Sequence, residues 1–178
     1  MNFHKINFKQ NGFTLIETLI YITIIGMVVV SFVTFSISIS NSKNKTYVTQ
    51  EVQANARLAF NLISQQIRGA TGINIGSSSF GVDPGILSLS LADGANDPTI
   101  IELDQDDGRL QITQGLNNPI VFTSQQAKIT NLVFTNLTPI GSNRENIRIE
   151  MTIEYNNSTS DLNFIYSQSL RTAVSVRQ

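Results

Sequence analysis

Between Glu17 and Lys43 lie 25 consecutive residues without a charge. As an α-helix that stretch is about 37 Å long at 1.5 Å per residue. The hydrocarbon core of a bilayer is about 30 Å thick. The densest apolar part is residues 19–35. A helix that is apolar on every side needs an apolar surround, so the segment predicts a membrane span. The twelve residues before Phe13 carry Lys5 and Lys9 and no acid. The positive-inside rule then keeps this leader in the cytoplasm and places the residues after Lys43 outside. An ordinary secretory signal fits less well. Its apolar region would run for ~7–15 residues to a small-x-small cleavage site. Here the run is longer, and Ser36, Ser38 and Ser40 come closest to such a site.

Glu17 is the only charge between Lys9 and Lys43. A carboxylate at a bilayer centre costs roughly 2.5–3.5 kcal/mol on insertion scales, so one at the edge of an apolar block needs a reason. Two are available. Thr14-Leu15-Ile16-Glu17 has the T-x-x-E form of a capping box, in which threonine and glutamate satisfy free N–H groups at a helix start. Negative charge there also suits the helix dipole. Alternatively, Glu17 is a charge partner for another chain. The two roles are compatible.

Gly12-Phe13-Thr14-Leu15-Ile16-Glu17, after a short basic leader and before a long apolar helix, resembles the class III signal of type IV pilins and pseudopilins. The resemblance covers roughly residues 1–42. It implies that a prepilin peptidase cuts after Gly12 and N-methylates Phe13. It also implies that the apolar helix is kept as both membrane anchor and assembly element. Gly12 suits a tight peptidase cleft because it lacks a Cβ. The freed α-amine of Phe13 would have a pKa near 7.7–8.0 in water and be largely cationic. The family pattern places Glu17 beside the Phe13 amine of a neighbouring subunit, which lowers the cost of holding either charge among apolar groups. Major pilins often carry a proline in this helix, and residues 13–42 contain none. Gly26 is their one weak helix position.

The helix is expected to continue. In residues 43–70, Val48, Val52, Ala56, Ala59, Phe60, Ile63 and Ile67 form one apolar stripe at 3–4 residue spacing. Gly69 or Gly72 can end it, with Arg68 favourable in the last turn. Residues 73–98 are rich in Gly, Ser, Asp and Pro and read as loop around one strand at 86–91. Strand-like runs follow at 99–103, 109–113, 119–123, 129–135, 147–155 and 162–169. In residues 147–155 apolar odd positions alternate with polar even ones, so one face is buried and the other wet. Residues 156–161 read as a polar hairpin loop. The expected fold is α+β: a long helix, membrane-spanning in its first half and amphipathic in its second, packed on an antiparallel sheet. The expected organisation is a leader at 1–12, a transmembrane and assembly helix at 13–42, and an outer pilin-like domain at 43–178. Residues 57–68, 129–134 and 172–177 also resemble J-type minor pseudopilins and related minor pilins.

Enzyme chemistry is not expected. There is no Cys, and the one His is His4 in the leader. Thiol catalysis is excluded, and zinc and His-based sites are disfavoured. Asp104-Gln105-Asp106-Asp107-Gly108 invites a calcium reading, but its spacing fails the EF-hand pattern. The alternative is a hairpin turn with Gly108 at positive φ. Glu150 and Glu154 share a strand face with Arg148 and Thr152, which reads as a solvated face that discourages sheet aggregation. Ser77-Ser78-Ser79 has no base to activate a nucleophile. Beyond residue 42, ten basic residues face twelve acidic ones without a basic run, so no nucleic-acid partner is expected. No metal or cofactor is expected either.

The sequence therefore reads as a minor pilin or pseudopilin. Its expected partners are prepilin peptidase, other pilin or pseudopilin subunits and the membrane. The rival reading is an unprocessed single-pass membrane protein whose outer domain binds a ligand or partner, with Glu17 acting only as a cap.

Overall fold

The computed structural model describes residues 12–142, 144–157 and 164–177. The chain divides into two compact units, Met1–Lys43 and Asn44–Gln178. One helix, α1 (Leu15–Gly69), contributes to both. Neither Gly26 nor any proline interrupts it. It ends at Gly69, with Arg68 in its last turn as expected.

In the second unit the helix buries one stripe: Val48, Val52, Ala56, Ala59, Ile63 and Ile67 are each no more than 1% exposed. Phe60 packs on that core while half-buried. The strands are β1 (Gly72–Ile73), β2 (Leu87–Ser90), β3 (Thr99–Leu103), β4 (Leu110–Gln114), β5 (Ile120–Val121), β6 (Ala127–Asn136), β7 (Asn146–Tyr155) and β8 (Ser167–Ser175). All pairings are antiparallel. They form two sheets rather than the one expected, β1-β2-β3-β4-β5 and β6-β7-β8.

The break between the sheets has a local cause. After β5, the Thr123 Oγ1 accepts the Leu110 N–H at 3.0 Å. The next residue, Ser124, is drawn onto α1 by Asn55 and Glu51. The chain leaves the sheet edge there and restarts as β6 against β7. The outer edge of β6 is covered in turn. Gly81 and Gly85 donate their N–H groups to the Phe134 and Leu132 carbonyls, and the Asp83 carboxylate accepts the Leu132 N–H at 2.8 Å. Gly108, at the β3–β4 turn, accepts the Ile129 N–H at 2.8 Å. Apolar residues of both sheets and of α1 thus share one core.

Along β7 the alternation holds, with Ile147, Ile149, Met151 and Ile153 buried. β6 carries a bulge: Ile129 faces Ile153, yet Asn131 faces Thr152. The extra residue switches the inward set from Ala127 and Ile129 to Leu132 and Phe134. The final strand lies later than the 162–169 expected. Its inward row is Gln168, Leu170, Thr172 and Val174, too weakly apolar to announce a strand. Partners on β7 decide its position, from Glu154 opposite Ser167 to Asn146 opposite Ser175. The more apolar Ile165 is left exposed before the strand begins. Most of the expected 156–161 hairpin loop lies outside the described residues, as do residues 162 and 163.

The β3–β4 hairpin has the expected turn. Gly108 sits at φ 64 and donates its N–H to the Asp104 carbonyl. The Arg109 guanidinium lies 2.7 Å from Asp107 and 3.6 Å from Asp104. At the β4–β5 turn, Gly115 has φ 56, and a Cβ there would collide with the Ala95 carbonyl. We expect Gly115→Ala to destabilise the protein by about 2–4 kcal/mol, combining left-handed strain with backbone overlap. Urea denaturation of the detergent-solubilised protein measures this.

Candidate functional site

The first unit contains the start of α1 and the residues leading into it. Gly12, Phe13 and Thr14 precede the helix and are exposed. Residues 1–11 of the leader lie outside the described residues. The Glu17 N–H points at Thr14, 3.3 Å from its Oγ1 and 3.1 Å from its carbonyl oxygen. The Thr18 N–H reaches the same carbonyl at 3.2 Å. This is the threonine half of the expected capping box. It satisfies helix-start donors that would be costly to leave open in an apolar medium. The Glu17 side chain is half-buried. Phe13 is 71% exposed and meets Tyr21 edge-to-face at 6.0 Å. An ideal Cβ on Gly12 would find nothing within 4 Å. The folded chain therefore leaves room for a side chain at that position.

Beyond Glu17 the helix is apolar all round. Ile22, Met27, Val30 and Phe32 are each at least 65% exposed, and they do not share one face. Several of its hydroxyls are satisfied within the helix. Thr23, Ser31, Thr34 and Ser42 each donate to a carbonyl one turn back, at 2.7–3.1 Å. A Ser or Thr bonded in this way exposes no unpaired donor to hydrocarbon. The sequence pattern gave the apolar length, and the structure adds that these polar side chains do not oppose insertion.

The second unit offers little chemistry. Among the described residues, no group of three or more His, Asp or Glu side chains is placed to hold a metal ion. Glu150 is held between Arg148 and Arg171, at 2.8 and 3.0 Å, on the outer face of β7 and β8. Partly exposed pairs of this kind stabilise by about 0–1 kcal/mol.

The polar group that sequence reading missed is Asn55. It falls on the apolar stripe, three residues after Val52 and four before Ala59, and is 6% exposed. Its Oδ1 accepts the Ser124 N–H at 2.8 Å, and its Nδ2 donates to the Glu51 carboxylate at 3.0 Å. The Ser124 hydroxyl donates to the same carboxylate at 2.7 Å. The only signal available beforehand was a polar residue in register with the stripe. Asn55→Ala should cost about 1–3 kcal/mol, because it strands a Ser124 N–H beside the helix. A lowered denaturation midpoint would show it, and an unchanged midpoint would mean that water replaces the amide.

Comparison with known proteins bears on the first unit. The model of the prokaryotic N-terminal methylation motif matches residues 7–33. No curated protein and no solved structure matches the chain. The matched stretch contains Gly12, Phe13, Glu17 and the first half of the exposed apolar helix. With that helix behind it, the signal makes this a membrane-anchored protein. Residues 7–33 thus carry the prokaryotic N-terminal methylation motif, the signal found in type IV pilins and pseudopilins.

Proposed function

We propose that this chain is a structural subunit of a pilus or pseudopilus, and not an enzyme. Prepilin peptidase cuts between Gly12 and Phe13 and methylates the Phe13 amine. The subunit spans the cytoplasmic membrane once, with its second unit outside. It then assembles through its N-terminal helix, Glu17 pairing with the Phe13 ammonium of a neighbour. Its place is that of a minor pilin or minor pseudopilin that primes or caps a filament. The candidate machines are a type IV pilus, a type II secretion system and a competence pseudopilus. The unbroken apolar helix and the J-type-like segments favour a minor subunit. No cofactor and no nucleic acid enter this role.

One observation carries the proposal: a helix exposed and apolar on all sides, headed by Gly-Phe-Thr-Leu-Ile-Glu. A filament core and a bilayer both cover such a surface, so one segment serves before and after assembly. Intact mass spectrometry of the native protein extracted from membranes tests the first step. The expected chain begins at N-methylated Phe13. A chain that keeps residues 1–12 in cells with active prepilin peptidase would instead be a single-pass membrane protein, and the assembly role would fall.

A further inference from the structure

Among the described residues the two sheets have four outer edges, and three of these are short or covered. β1 and β5 are two residues each. The outer edge of β6 is taken by Gly81, Gly85 and Asp83. β8 forms the fourth edge and is nine residues long. Tyr155 donates its N–H to the Tyr166 carbonyl, and Val176 to the Glu145 carbonyl, both at 3.0 Å. Bonded and unbonded pairs alternate along an antiparallel ladder. The even residues of β8 therefore bond to β7, and Ser167, Ser169, Arg171, Ala173 and Ser175 turn their N–H and C=O groups outward. Among the described residues, no group bonds to them there.

An open edge of this length is a template for another strand, and proteins usually guard it with lysine, proline, a bulge or an inward charge. β8 has no lysine and no proline, and it pairs with β7 without a bulge. Its one charge, Arg171, is drawn onto Glu150 of β7 at 3.0 Å. The other outward residues, Ser167, Ser169, Ala173 and Ser175, are small. On the opposite face Leu170 packs on the core but is only partly buried, so an added strand would cover it.

The edge is complementary to itself. Two copies of β8 laid antiparallel must bond through their odd residues. Centred on Arg171, the pairing sets two guanidinium groups opposite each other, and like charges there are destabilising. One step to either side the clash disappears. Centred on Leu170, Leu170 meets Leu170, Gln168 meets Thr172 and Arg171 meets Ser169. Centred on Thr172, Thr172 meets Thr172, Leu170 meets Val174 and Arg171 meets Ala173. Beyond residue 42, ten basic residues stand against twelve acidic ones, so no large net charge holds copies apart. We propose that the open edge of β8 receives β8 of a second copy, joining two three-stranded sheets into one of six strands. The pairing needs only the second unit, and neither cleavage nor anchoring of the first.

The chain has no cysteine, so a single introduced one reports close approach. At the centre of either register the two Cα atoms would lie about 4.5 Å apart, within disulfide range. Leu170→Cys and Thr172→Cys test the two registers. Leu116→Cys, at a fully exposed position on the β4–β5 turn, reports chance collision. Full-length variants in excess detergent are oxidised with copper phenanthroline and separated on non-reducing gels. One of the two β8 variants should give several-fold more dimer than Leu116→Cys. Adding Ala173→Pro should remove that excess, because it deletes an outward N–H and leaves the ladder to β7 intact. In the unaltered chain, amide exchange at Ser169, Arg171 and Ala173 should slow as protein concentration rises. Exchange independent of concentration overturns the pairing even if a cysteine variant misfolds, and so does a dimer excess that survives Ala173→Pro. Either result would leave the edge to a strand of a different subunit.

Discussion

Glu17→Leu should leave cleavage between Gly12 and Phe13 intact and remove the subunit from filaments. The substitution exchanges a carboxylate for a good helix former in an apolar stretch, so neither the helix nor the anchor suffers. The Thr14 contacts at the helix start involve the Glu17 backbone N–H and survive the change. What disappears is the only negative charge between Lys9 and Lys43. A neighbouring Phe13 ammonium would then be buried without a counter-charge. Breaking a buried pair by removing one partner costs about 3–5 kcal/mol, on the order of 10²–10⁴-fold in incorporation. Immunoblots of sheared filaments against membranes measure that ratio, and N-terminal mass shows whether cleavage continued. Incorporation at the wild-type level would mean that Glu17 serves only at the helix start.

Gly12→Val is expected to do the reverse, blocking cleavage without disturbing the fold. The space around Gly12 is open, with nothing within 4 Å of an added Cβ. Surface changes of this kind usually stay within about 0.5 kcal/mol. A β-branched residue, however, has far fewer backbone conformations with which to enter a peptidase cleft. The membrane should then accumulate a precursor that retains residues 1–12, with Lys5 and Lys9 holding it at the cytoplasmic face. Without a free Phe13 amine, the precursor also fails to assemble. Normal processing of Gly12→Val would show that the peptidase does not need glycine there. Taken together, the two variants separate processing from assembly.

The elements that were legible in the sequence share one property: a single environment along their whole length. The first half of α1 is apolar and exposed on all sides, so composition alone identifies it. Its second half faces the core with one stripe, and Val48, Val52, Ala56, Ala59, Ile63 and Ile67 are buried as their spacing requires. β7 is the central strand of its sheet and alternates without a break. The β3–β4 hairpin was readable because its turn chemistry is local, with Gly108 supplying positive φ.

β8 and β6 were less legible because their surroundings are set by other segments. The inward row of β8 is half polar, so only pairing with β7 locates the strand. The bulge in β6 inverts its pattern midway, and a strict two-residue period sees only half of it. Asn55 was passed over because its partner, Ser124, is distant in sequence.

The segment from Gly12 through the apolar helix, which holds the methylation motif, was legible in the sequence itself. Its chemistry needs one local motif and one uninterrupted apolar length, and neither depends on a distant contact. Tertiary structure decided the division into two sheets, the position of β8 and the open edge it leaves. Those features depend on contacts between residues far apart in the chain, whose closure entropy is repaid only when the whole core forms.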